Sequence, residues 1–135
     1  MNQYLIDSNI LIHILAGDLP ERTYSTVREI CNQSFLVSII SKIELLGWRN
    51  GTPDGLAMAR NLLLEADIIS LSDPISDIAI NIRQKKAIKL PDAVIAASAI
   101  FLNATLVTRN IKDFDGIEGL FLLNPFDMSS QFESE

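Results

Sequence analysis

The chain has 135 residues with one cysteine and one histidine, 48% hydrophobic and 21% charged residues, and a formal charge of −6. That is the size of one domain able to bury roughly two thirds of its unfolded surface, with too few thiols for a disulfide framework and too few Cys and His for a four-ligand zinc site. The acidic balance argues against a non-specific nucleic-acid binder, which would carry a basic surface, but not against an enzyme on nucleic acid whose acids are neutralised by metal.

The elements alternate. Tyr4-Leu5-Ile6 reads as a first strand closed by Asp7, and a helix follows from Ser8 or Asn9 to Leu15. Gly17-Asp18-Leu19-Pro20 breaks it, and Glu21–Asn32 reads as a second helix. After a strand over Phe35–Ile39, Ser41 and Glu44 have the spacing of a capping box and open a helix to about Trp48. Asn50-Gly51-Thr52-Pro53 stops that helix, and Leu56–Leu64 reads as another. Ile68–Leu71 is a third strand, and Ser72 or Asp73 caps a helix with Pro74 in its first turn. The stripe Ile75, Ile78, Ala79, Ile82 fits that helix.

Pro91 suits the start of the next helix, Asp92–Asn103, which is apolar nearly all round and therefore expected to be buried. A strand at Thr105–Thr108, a turn, and a strand at Leu120–Leu123 complete the order. The economical fold is α/β: a three-layer α/β/α domain over residues 1–126 with a mainly parallel central sheet. Residues 127–135 are polar and expected to be disordered. No targeting segment stands out. The apolar stretch Ile10–Ala16 follows an aspartate rather than Lys or Arg, and Ala93–Leu102 is too short to span a bilayer. A cytoplasmic protein with no membrane partner is expected.

Asp7, Glu44, Asp92 and Asp113 fall where the strand–helix alternation would gather them, at the carboxyl ends of the strands, where open parallel sheets form ligand sites. Each alone has a plain structural role: a helix cap, half of a capping box, a first-turn anion favoured by the helix dipole, a turn residue. As a set they make a hard-oxygen site. Two carboxylates about 4 Å apart repel by roughly 4 kcal/mol at an effective dielectric of 20, so such a cluster binds protons or a divalent cation. Mg²⁺, or Mn²⁺, would activate water and neutralise a phosphoryl oxygen, which is phosphodiester hydrolysis. The only histidine, His13, lies inside the first helix and fits packing or surface better than a Ser-His-acid arrangement. Arg83, Lys85, Lys86, Lys89, Arg109 and Lys112 form two basic clusters near the acids in sequence, and Trp48 reads as ordinary half-buried packing.

Asp7-Ser8-Asn9 after a strand, Ser41-Lys42-Ile43-Glu44-Leu45, Leu90-Pro91-Asp92-Ala93-Val94-Ile95-Ala96-Ala97, and Leu106-Val107-Thr108-Arg109-Asn110-Ile111-Lys112-Asp113-Phe114 together resemble the motifs of PIN-domain nucleases, in particular the VapC-type toxins of type II toxin–antitoxin pairs. The resemblance covers about residues 3–124. It implies a PIN-like domain and a Mg²⁺- or Mn²⁺-dependent endoribonuclease cutting RNA with metal-activated water. The implied enzyme is a homodimer restrained by a cognate antitoxin. Asp7, Glu44, Asp92 and Asp113 would be the catalytic, metal-holding acids, with Asp115 an alternative fourth. Asn9, Thr108 and Asn110 would orient water or the metal ligands, and Arg109 and Lys112 would hold flanking phosphates. Two rivals remain open on sequence: an aspartyl-phosphate phosphatase using Asp7, for which Asn9 is the wrong general acid, and a Mg²⁺-binding receiver-like signalling module.

Overall fold

The computed structural model describes residues 2–127; the polar tail from residue 128 onward lies outside them. Five three-residue strands, β1 (Tyr4–Ile6), β2 (Leu36–Ser38), β3 (Asp67–Ile69), β4 (Thr105–Val107) and β5 (Phe121–Leu123), form one sheet in the order β3-β2-β1-β4-β5. Every neighbouring pair is parallel, with Leu5 opposite both Leu36 and Leu106. The helices are α1 (Ser8–Ala16), α2 (Glu21–Gln33), α3 (Ile39–Leu46), α4 (Pro53–Leu64), α5 (Asp73–Lys85), α6 (Leu90–Leu102) and α7 (Ile111–Phe114).

Strands buried on both faces need apolar residues at successive positions, because alternate side chains point to opposite sides. Leu5, Leu36 and Leu106 enter one core with Ile75, Ala79 and Ile82 of α5, the buried run Ala93–Ala97 of α6, and Phe114 of α7. Tyr4, Ile6, Val37 and Val107 enter the other, with Ile10 and Leu11 of α1, Val27 and Ile30 of α2, Leu45 of α3 and Leu63 of α4. The sheet is thus covered on both sides, as the three-layer expectation required. Seven consecutive residues of α6, Ala93–Ala99, are buried, and its small side chains let α5 pack closely beside it. No helix among the described residues is long and apolar enough to cross a membrane.

Several boundaries differ from the sequence expectation. β2 ends at Ser38, whose hydroxyl accepts from the Ile40 N–H at 3.1 Å and caps α3. Helix α3 therefore begins two residues before Ser41, and the Ser41–Glu44 capping box does not form. An i, i+3 spacing also places two residues on one helix face, and α3 uses it in that way. The Asn50–Pro53 breaker contains a helix start: Thr52 Oγ1 accepts from the Gly55 N–H at 3.0 Å, with Pro53 in the first turn of α4. Ser72, not Asp73, caps α5. α6 opens at Leu90 and ends on Asn103 in the left-handed region at φ 54°, a C-terminal stop that asparagine tolerates. The turn expected after β4 is the one-turn helix α7. Trp48, expected half-buried, is 65% exposed.

Phe114 is 1% exposed in the α5–α6 core and anchors α7, which carries Asp113. Phe114→Ala is expected to destabilise the domain by about 3–5 kcal/mol, read as a lower urea midpoint with unchanged slope. Wild-type stability in that variant would mean that α7 is not tied to the core.

Candidate active site

In an open parallel sheet the ligand crevice forms where the strand order reverses. Here the chain winds outward from β1 through β2 to β3 and then returns to β4 on the other side of β1, so the crevice lies between the carboxyl ends of β1 and β4. Asp7 follows β1 and Thr108 follows β4. The Thr108 hydroxyl donates to Asp7 Oδ2 at 2.8 Å, across that boundary.

A polar network surrounds this bond. Asp7 caps α1, its Oδ1 accepting from the Ser8 N–H at 2.8 Å. Asn9 Nδ2 donates to Asp7 Oδ2 at 3.2 Å and to Thr108 Oγ1 at 3.1 Å, while Asn9 Oδ1 accepts from the Arg109 N–H at 3.3 Å. Thr108 Oγ1 also accepts from the Asn110 N–H at 3.0 Å. With one proton given and two accepted, the threonine uses its full capacity. Asn9 and Thr108 thus hold the turns after β1 and β4 together around one carboxylate. Asn110 takes part through its backbone, and its side chain caps nothing.

Glu44 reaches the same place through a serine pair. Ser8 Oγ lies 2.6 Å from Glu44 Oε1 and 2.8 Å from Ser41 Oγ. Ionised Glu44 can only accept and a hydroxyl has one proton, so Ser8 donates to the carboxylate and Ser41 supplies the second bond. Ser41 is fully buried. Neither serine stood out from sequence as more than a cap. The usable signal was that Ser41 and Glu44 share one helix face and Ser8 directly follows the first aspartate.

The acids act on one another. Burial, together with the charges of Asp92 and Glu44, raises the Asp7 carboxyl from 3.8 to about 6 against the hydrogen bonds from Thr108 and Ser8. Asp92, in the first turn of α6, is also raised, first by burial and then by Asp113 and Glu44, with Lys89 partly offsetting them. Asp92 is thus linked electrostatically to Asp7, Glu44 and Asp113. Asp115 sits exposed at the end of α7 and is not among the charges acting on Asp92. The four acids share one field but stand apart: among the described residues, no three His, Cys, Asp or Glu side chains are gathered tightly enough to hold a metal ion. Their chemistry, oxygen donors only, suits a hard divalent cation.

The basic candidates divide. Lys112 lies on the wall of a groove with Asp92 and Asp113. The Arg109 guanidinium stacks on the Phe126 ring, 4.4 Å from its centroid. The same ring meets His13 edge-on at 5.6 Å. His13 Nδ1 is 2.8 Å from Asp18 Oδ1, so the one histidine braces the end of α1 and takes no part in the acid cluster.

A family model described as PIN domain matches residues 4–120. The chain belongs to the PIN-domain family. Ribonuclease VapC1 of Haemophilus influenzae (strain R2866) is 26% identical over 126 residues, covering 87% of this chain and 93% of that protein. A chain in a toxin-antitoxin complex from Klebsiella pneumoniae is 31% identical with a TM-score of 0.71, over 90% of this chain and 97% of that one. A chain of VapBC2 from Rickettsia felis, bound to a DNA fragment from their promoter, is 26% identical with a TM-score of 0.79, over 90% and 98%. These matches cover 87–90% of this chain and 93–98% of the relatives.

The raised Asp7 has a stability consequence. The folded state holds this proton more tightly than the unfolded chain, so stability is greatest at low pH and falls as pH rises from 3.8 to about 6. At about 1.4 kcal/mol per pKa unit, ionised Asp7 costs the fold on the order of 3 kcal/mol. In chelator-treated protein, Asp7→Asn is expected to be more stable than wild type above pH 6, by on the order of 1–3 kcal/mol, with the gap closing toward pH 3.8. Urea titrations at both ends of that window measure it. A gap that stays constant across the window would contradict the burial of this charge.

Proposed function

We propose that this PIN domain is a Mg²⁺- or Mn²⁺-dependent endoribonuclease and the toxin of a VapC-type toxin–antitoxin pair. The observation that carries the reading is the buried Asp7 at the β1–β4 crevice, coupled to Glu44 and Asp92 and, through Asp92, to Asp113. The ribonuclease and antitoxin parts come from the VapC1 and toxin-antitoxin relatives.

Asp7, Glu44, Asp92 and Asp113 would hold the cation. The chemistry a bound cation supplies here is neutralisation of a phosphoryl oxygen and activation of water for in-line attack. The chain's own residues do the rest. Thr108, Asn9 and the Ser8 N–H keep both Asp7 oxygens in fixed directions, and Ser8 aims Glu44. Asp113 and Glu44 are exposed, on the solvent side of the buried Asp7. Lys112, on the groove beside Asp92 and Asp113, and Arg109, steadied by Phe126, would hold flanking phosphates. Attack by water leaves a 5′-phosphate and a 3′-hydroxyl and needs no 2′-hydroxyl, so the preference for RNA rests on the relatives. A homodimer, a cytoplasmic site of action and a restraining antitoxin belong to the same reading.

The strand order disfavours the signalling rival. Receiver-like sheets run 2-1-3-4-5 with their site at the β1–β3 boundary, whereas β3 here is an edge strand, remote from β4. The phosphatase reading needs an accessible Asp7 nucleophile, and Asp7 is 5% exposed with both oxygens bonded.

Two measurements test the proposal. Purified wild-type protein with RNA and Mg²⁺ or Mn²⁺ is expected to produce 5′-phosphate ends, and chelator should abolish them. Asp92→Asn should lower the rate by at least the roughly 10–100-fold of losing an outer metal partner. Independently of activity, a cation at 100 times its Kd should stabilise the wild type by about 2.7 kcal/mol, and this gain should vanish in Asp92→Asn. Cleavage by Asp92→Asn at the wild-type rate would refute the assignment.

A further inference from the structure

Between the end of α5 and the acid cluster lies a groove of about 220 Å³, formed by the 86–89 loop with Asp92, Lys112 and Asp113. Lys86 and Lys89 come from the loop and Lys112 from α7, so three lysines from two separate elements line one small space. Two site carboxylates stand at its edge. Nevertheless, none of the three lysines is ion-paired among the described residues. Lys89 lies near enough to Asp92 to oppose its rise in pKa without forming a bridge to it. The cations are therefore available to a ligand lying beside the acids.

The lining also limits what that ligand is. Apart from the charged residues it consists of Ala87 and Ile88, with no aromatic ring to stack on a base, the usual means of holding unpaired nucleotides. The volume suits a phosphate with part of its sugar. In a chain of net charge −6, three lysines against two carboxylates give this groove a locally positive balance that favours an anion.

We propose that Lys86, Lys89 and Lys112 form a subsite for one backbone phosphate of single-stranded RNA, on the α5–α6 side of the acids. The subsite reads the backbone and not the base, so it fixes where the strand lies without selecting its sequence at that nucleotide. Arg109, stacked on Phe126, belongs to the other crevice wall, so the strand would run from the lysine groove across the acids toward Phe126. This inference rests on the nuclease reading, and the experiment separates the two.

A short fluorescein-labelled oligouridylate is titrated with full-length protein in Ca²⁺ at several KCl concentrations, and cleavage of the same RNA is followed in Mg²⁺. The Lys86→Gln/Lys89→Gln double variant is expected to show a salt slope shallower by about 0.7, because one phosphate is no longer neutralised, with KM raised. Lys86→Arg/Lys89→Arg should restore both, and Arg60→Gln, on α4 across the sheet, should change neither. Unchanged slope and KM in the double variant of a protein that still cuts RNA overturn the subsite and leave the nuclease standing. A lysine-dependent slope in a wild type that never cuts keeps the subsite and removes the nuclease. A wild type that does not bind the probe overturns the subsite.

Discussion

A carboxylate with 5% exposure at the carboxyl end of the central strand of a parallel sheet is the constraint around which the rest of this molecule is arranged. Asp7 loses most of its hydration, and the three bonds that replace it, from the Ser8 N–H, Thr108 and Asn9, do not fully offset the loss, because its carboxyl still rises to about 6. Such a group is held in place by the apolar layers above and below it, not by its own energy.

The two layers contribute to this site differently. The α1–α4 side supplies Asp7 and Glu44, joined through Ser8 and the buried Ser41. The α5–α7 side supplies Asp92 from a helix buried along seven consecutive residues and Asp113 from a single turn pinned by Phe114. Helices α3 and α6 touch beyond the sheet edge, which brings Glu44 within electrostatic reach of Asp92. Asp92 is the pivot, since charges from both layers, Asp113 and Glu44, act on it.

Rigidity is also divided. Asp7 is held by its network and Asp92 is half-buried in the first turn of α6, while Glu44 and Asp113 are exposed, Glu44 bonded to Ser8. The Arg109–Phe126–His13 stack ties the turn after β4 to the end of α1 on the far side.

Local sequence determined the order of strands and helices, because buried parallel strands need continuous short apolar runs and amphipathic helices repeat every third or fourth residue. It also marked the acids, which stand at element ends where the chain must turn. It misplaced the start of α3, since Ser38 and Ser41 are equally good caps on paper and Ser-x-x-Glu serves a cap or a helix face alike. It passed over α7, four residues being too few to show a period. Only the tertiary structure decided that β4 lies beside β1, that Ser8 and Ser41 bind Glu44, and that Arg109 rests on Phe126. Each of these joins residues from distant parts of the chain, and such contacts follow from packing two layers on one sheet, which no local pattern encodes.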